Sequence, residues 1–304
     1  MSDPAPNDDA TPPAEGLARL KSSLEARLKA LVKSGPTTPR HLREAVRHAL
    51  LAPSKRVRPM MVHLVAAGED YLHLPALDAG CAVEMVHTAS LILDDLPCMD
   101  DAKTRRQRPT THIVFGEATA ILAAIALLNR AFGVIAELDD LSPSIRTQLA
   151  EQLSGAVGWE GLVSGQELDL RGTEGVDPAK IERLNWLKTG VLFVAAAEMG
   201  ATIRGLAPAQ TRAVRSFATH LGQAFQTADD LLDVSATAAQ AGKDVGQDLG
   251  KTTIVSLLGQ DLARQRCREH LASADRALAE TSLEPQPFRT LIGKFFGSLG
   301  TEST

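Results

Sequence analysis

Leucines recur at helical spacing near the start of the chain: Leu17, Leu20, Leu24, Leu28 and Leu31 mark one face of a helix. Thr37-Thr38-Pro39 opens a second helix. The apolar pattern predicts long buried helices over 75–93 and 117–138, and further helices over 144–164, 178–204, 208–234 and 254–279. Leu141-Ser142-Pro143, Arg171-Gly172-Thr173-Glu174-Gly175 and Gly205-Leu206-Ala207-Pro208 punctuate them. No run alternates apolar and polar residues long enough for a strand, and no short-period repeat occurs. The expected fold is all-α, a single large helical bundle over 17–304 behind a disordered lead-in at 1–16 that is rich in Pro, Asp and Ala.

Composition narrows the class. Of 304 residues, 44% are hydrophobic and 23% charged, enough for a large core. Aromatics are only 4%, which leans helical. A net charge of −5 argues against a nucleic-acid partner. Cys81, Cys98 and Cys267 have no metal-ligand spacing and make no even disulfide framework, so a reduced cytoplasmic setting is expected. The N-terminus lacks the basic start and apolar run of a signal peptide, and the longest apolar run, 120–128, is too short for a transmembrane segment.

Two aspartate clusters change the picture: Asp94-Asp95-Leu96-Pro97-Cys98-Met99-Asp100-Asp101 and Asp229-Asp230-Leu231-Leu232-Asp233. Each ends an apolar run, where like charges cost free energy unless a cation or proton offsets them. Hard divalent cations take carboxylate oxygens, and Mg²⁺ typically combines one or two carboxylates with substrate phosphates. Glu84, His87, Leu91 and Asp94 lie close to one helical face, and Pro97 then allows Asp100 and Asp101 to fold back toward Asp94. Gln226, Asp229, Asp230 and Asp233 form the second face. An acidic solvated helix end explains either cluster alone, but not both together.

Cations lie where anions would suit them. Lys55-Arg56-Val57-Arg58-Pro59 joins an ammonium to guanidinium forks that match phosphate oxygens. Lys103-Thr104-Arg105-Arg106 follows the first cluster directly, and Lys188-Thr189-Gly190 and Gly242-Lys243-Asp244 add further candidates. No P-loop pattern occurs.

These residues resemble the trans-isoprenyl diphosphate synthases, the head-to-tail prenyltransferases. The first cluster is similar to the longer form of that family's first aspartate-rich motif, and the second to its DDxxD motif. Lys55 to Pro59, Gly165-Gln166-Glu167-Leu168-Asp169-Leu170, Phe225-Gln226 and Gly250-Lys251-Thr252-Thr253 extend the likeness over about residues 50–258. The resemblance implies a helical bundle of the isoprenoid synthase type with a central cavity. Asp94, Asp100 and Asp229 would bind Mg²⁺ (three ions with bound diphosphate), with Asp95, Asp230 and Asp233 in support. Arg105, Lys188, Lys243 and Lys251 would hold the allylic diphosphate. Lys55, Arg58, His87 and Arg106 would hold isopentenyl diphosphate. Lys188, Thr189 and Gln226 would serve catalysis, the last two by presenting oxygen dipoles to the allylic cation, while the departing pyrophosphate takes the final proton. A homodimer is implied as well. Ser54 and Gln107 stand where the family usually has glycine.

Product length in this family resembles a ruler set just upstream of the first motif. The small residues Ala89 and Ser90 there, with Met85 one turn deeper as a floor, point to geranylgeranyl diphosphate (C20), and farnesyl diphosphate (C15) is the alternative. A class I terpene cyclase has no need of Lys55, Arg58, His87 and Arg106 together. A non-catalytic partner subunit would be expected to have lost an aspartate cluster.

Overall fold

The computed structural model describes residues 13–33, 35–172, 178–235 and 254–297, except for the side chains of 178–179, 233–235 and 254. The order is α1 (Pro13–Leu31), α2 (Arg40–Leu50), α3 (Val57–Ala67), α4 (Leu74–Asp94), a hairpin of β1 (Thr104–Arg105) and β2 (Arg108–Pro109), α5 (Thr111–Phe115), α6 (Glu117–Ala136), α7 (Pro143–Val157), α8 (Leu162–Arg171), α9 (Pro178–Asn185), a π-helical turn (Trp186–Gly190), α10 (Val191–Arg204), α11 (Pro208–Ser235), α12 (Ile254–Leu258), α13 (Gln260–Ala279) and α14 (Pro285–Phe296). The fold is the all-α bundle expected.

Helix α4 is the spine. It packs against α1, α2, α3, α6, α7 and α10, and so is buried on nearly every side. That is why apolar residues occupy nearly all of its circumference rather than one stripe, with a few buried polar groups among them. Pro75 in the first turn and the His73 ring, which accepts the Ala76 amide at 3.3 Å, start it. Ser142 caps α7 in the same way, through the Ile145 amide at 3.3 Å. Three helical stretches, Leu74–Asp94, Glu117–Ala136 and Lys180–Arg204, are long and apolar enough to cross a membrane by length and composition. The expectation drawn from the single run 120–128 therefore understated them. A helix in the middle of a bundle and one in lipid make the same demand on side chains.

Several expectations need correction. Helix α1 begins at Pro13, inside the lead-in expected to be disordered. The stretch 144–164 is two helices, split at Gly158–Gly161. The stretch 254–279 is broken at Gly259, whose φ of 79° an L side chain rarely adopts. Helix α3, buried all round, has no polar face to show a period, and the hairpin is too short to alternate.

Candidate active site

The spine delivers the first cluster to the mouth of a cavity of about 960 Å³. After Pro97 the chain turns back: the Asp100 amide donates to the Asp94 carbonyl at 2.9 Å, and the Asp101 amide to the Leu96 carbonyl at 3.1 Å. Asp94 and Asp100 line the cavity, and Asp229 and Asp230 face it from α11. Burial pushes the Asp94 carboxyl up to about 6, with nearby Asp100 adding to the shift and Lys188 opposing it. Asp95, also pushed up to about 6 chiefly by burial, does not line the cavity. It lies behind the wall and accepts from Arg105 Nε at 2.6 Å, so it supports the site by holding an arginine. Among the described residues no three His, Cys, Asp or Glu side chains converge into a closed metal cage. An all-oxygen, electrostatically stressed donor set on two facing helices suits a hard divalent cation that completes its shell with phosphate.

Cations occupy the same cavity in two groups. In the first, Arg58 stacks on the Phe193 ring at 4.5 Å, and its Nη1 lies 3.4 Å from His87 Nε2. Its Nε is buried without a hydrogen-bond partner, and desolvation pushes the guanidinium down to about 10. A desolvated and under-partnered guanidinium is primed for an anion. His87 is held well below its ordinary value by burial first and then by Arg58, Arg106 and Arg105, so it is a neutral imidazole in the ligand-free site. Lys55, exposed, lies 5.3 Å over the Phe295 ring and completes this group with Arg106. In the second group are Arg105 and Lys188, the latter 2.6 Å from Asp169.

Arg56 departs from its expected suitability for anions. Its side chain is turned fully inward, against Glu84 and Glu25.

Lys188 and Thr189 come from the π-helical turn, whose five-residue hydrogen bond runs from the Val191 amide to the Trp186 carbonyl. Such turns occur disproportionately at functional sites. Glycines let neighbouring helices close on it: a Cβ on Gly165 would stand 2.7 Å from the Lys188 nitrogen, and one on Gly222 3.1 Å from Gly190 Cα. Thr189 Oγ1 donates to Gln226 Oε1 at 2.6 Å, and Gln226 Nε2 donates to Asp230 at 2.7 Å. That chain fixes the amide with its oxygen beside the threonine.

The basic hairpin is tight. Arg105 pairs with Arg108, so Arg106 and Gln107 form the two-residue loop, both left-handed at φ 54° and 60°. This is the type I′ geometry that prefers glycine, and Gln107 holds it without one.

The chain-length candidates separate. At about 100° per residue, Ser90 lies roughly 40° and Val86 roughly 80° from Asp94 around α4, and both line the cavity. Ala89 and Met85 fall roughly 140° and 180° away; they are fully buried in the core and outside the cavity wall. Leu128, Val157, Phe193 and Phe225 form much of the apolar remainder. Phe193 and Phe225 stack at 4.9 Å, a role the sparse aromatics did not reveal beforehand. Lys243, Lys251 and the Asp233 side chain lie outside the described residues.

Residues 39–282 match the polyprenyl synthetase family. The chain belongs to that family. As a polyprenyl synthetase it is a prenyltransferase, and its relatives agree. It is 47% identical over 240 residues to the geranylgeranyl diphosphate synthase of Pantoea ananas, covering 77% of this chain and 78% of that one. It is 41% identical over 256 residues to the farnesyl diphosphate synthase of Geobacillus stearothermophilus, covering 81% and 84%. The fold matches that of a Helicobacter pylori geranyltransferase complexed with magnesium and isoprenyl diphosphate, with a TM-score of 0.81, 26% identity and coverage of 95% and 97%.

Proposed function

We propose that this polyprenyl synthetase condenses isopentenyl diphosphate head-to-tail with allylic diphosphates and carries the product to C20. The observation that carries this reading is two cationic groups, one around Arg58 and one around Lys188, sharing an apolar-walled cavity with carboxylates on facing helices. One diphosphate needs one such group, and two suit a bimolecular condensation. Asp94, Asp100 and Asp229 would hold Mg²⁺, three ions by family resemblance. Bound there, the metal supplies the positive charge that offsets diphosphate as the carbon–oxygen bond ionises.

The chain's own residues do the rest. Arg105 and Lys188 bind the allylic diphosphate. Thr189 and Gln226 turn hydroxyl and amide oxygens toward the carbon side, where positive charge develops. Phe193 and Phe225 keep water from that carbon. Lys55, Arg58, His87 and Arg106 hold isopentenyl diphosphate so that its double bond lies beside the cation.

Relatives named as geranylgeranyl diphosphate synthases, and the small Ser90 side chain on the cavity wall, support the C20 product. The farnesyl diphosphate synthase relative at 41% identity favours C15 as the second reading. Incubation with Mg²⁺, isopentenyl diphosphate and C5, C10 or C15 primers distinguishes them by product length. Elongation of the C15 primer is expected, its accumulation without extension would select C15, and no elongation from any primer would overturn the reaction.

Helices α5 and α6 expose Ile113, Val114, Ile121, Leu122 and Ile125, an apolar surface of the kind that self-associates. We infer a homodimer across this face, so Leu122→Glu should halve the sedimenting mass, and an unchanged mass refutes it.

A further inference from the structure

Glu84 is a buried carboxylate, 2% exposed, in a cavity wall that otherwise collects cations on this side. Its Oε1 receives Arg56 Nη1 at 2.5 Å and Ser54 Oγ at 3.3 Å, and lies 3.9 Å from Arg106 Nη2. Ser54 and Arg56 belong to the loop that carries Lys55 into α3, just before Arg58. Arg106 belongs to the β1–β2 loop. One oxygen therefore ties together two loops, reaching Arg56 and Arg106 50 positions apart in sequence, of which one supplies Lys55 and leads into Arg58 and the other supplies Arg106.

Arg56 is built to transmit this hold. Besides Glu84 it donates to Glu25 at 2.7 and 3.1 Å, and to the carbonyls of Leu50 and Ala52 at 2.8 and 3.1 Å. Its backbone sits in the left-handed region at φ 53°, a conformation that persists in a non-glycine residue only where the surroundings over-determine it. Burial alone would lower its pKa, and the two glutamates outweigh that effect. The serine that stands where glycine is usual contributes one of the contacts.

We propose that Glu84 is a positioning residue for the isopentenyl diphosphate subsite, holding the Lys55–Arg58 loop and the Arg106 loop in the mutual geometry that one diphosphate bridges. The inference rests on the proposed reaction for that subsite. Glu84 does not itself touch the anion. It keeps two sets of mutually repelling cations in register before the anion arrives.

Steady-state kinetics on the full chain test it. In Glu84→Gln the KM for isopentenyl diphosphate should rise about tenfold, as expected for losing a buried charged partner. The KM for the allylic primer should stay within about twofold. Glu84→Asp, which keeps the charge one methylene shorter, should recover part of the loss. An unchanged or lowered isopentenyl diphosphate KM in cooperatively melting Glu84→Gln overturns the proposal, and so does an equal rise in both KM values. If Glu84→Gln does not fold, Glu25→Gln loosens Arg56 from its partly exposed side; about a threefold selective rise supports the proposal and no change overturns it. A wild-type chain that fails to elongate any primer would instead sink the underlying reaction.

Discussion

Ser90→Phe tests where the growing tail runs. Ser90 stands four residues before Asp94, about 6 Å along the helix axis, and faces the same cavity. Its hydroxyl donates to the His87 carbonyl at 2.9 Å, a contact whose loss costs only about 1 kcal/mol. A phenyl group there competes with the tail for the space below Asp94. Extending C15 to C20 buries five more carbons, worth about 0.8 kcal/mol each, or about 4 kcal/mol in all. Losing the whole of that burial slows the last elongation about a thousandfold, and losing half slows it about thirtyfold. The assay compares kcat/KM for C10 and C15 primers at saturating isopentenyl diphosphate, with product lengths read by chromatography. Products of C15 or shorter are expected, with the protein melting within a few degrees of wild type. A C15-primer kcat/KM within threefold of wild type would show that the tail does not pass Ser90.

Two further outcomes follow from the same geometry. Gln107→Gly removes a left-handed L residue costing about 1–2 kcal/mol but returns about 0.4–1 kcal/mol of unfolded-state entropy. Calorimetry should therefore show a melting temperature about 1–3 °C higher, and a fall would mean that the glutamine side chain holds the loop. Asp94 and Asp95, raised mainly by burial from 3.8 to about 6, make the metal-free fold bind more protons than the unfolded chain in that interval. Their contribution to stability is therefore greatest below pH about 4 and lost as pH rises through 6. Mg²⁺ must displace the proton on Asp94, so titration calorimetry at pH 5.5 should give about a fourfold weaker affinity than at pH 7.5, and equal affinities would refute the shift.

Much of this was legible in the chain because helices announce themselves by period. Helices α4, α6 and α11 fall within two residues of the ends expected for them. The breaks that escaped notice depend on backbone geometry, as at Gly259, or on a glycine-bounded turn between two amphipathic helices, as at Gly158–Gly161. At the site, aspartates and basic residues could be found by spacing, and the structure brings most of the described ones to one cavity. Direction was harder to read. Arg56 and Asp95 look like site residues in the sequence, yet they turn away to hold their neighbours. Ala89 and Ser90 are adjacent and similar in size, and only the rotation of α4 puts one on the wall and the other in the core.

The π-helical turn gives the enzyme a reading frame of its own. Below it Leu184 and Asn185 reach the cavity at ordinary helical spacing from Lys188, and above it Phe193 does so five positions on. If the same residues were wound instead as an unbroken α-helix, the extra residue that the turn takes up would carry the helix beyond it one step too far. Everything beyond would be rotated by about 100°, offering Leu192 beneath Arg58 where Phe193 now lies. Such a chain would keep every aspartate and every cation of the site in its sequence, and would still have lost the ring on which Arg58 rests.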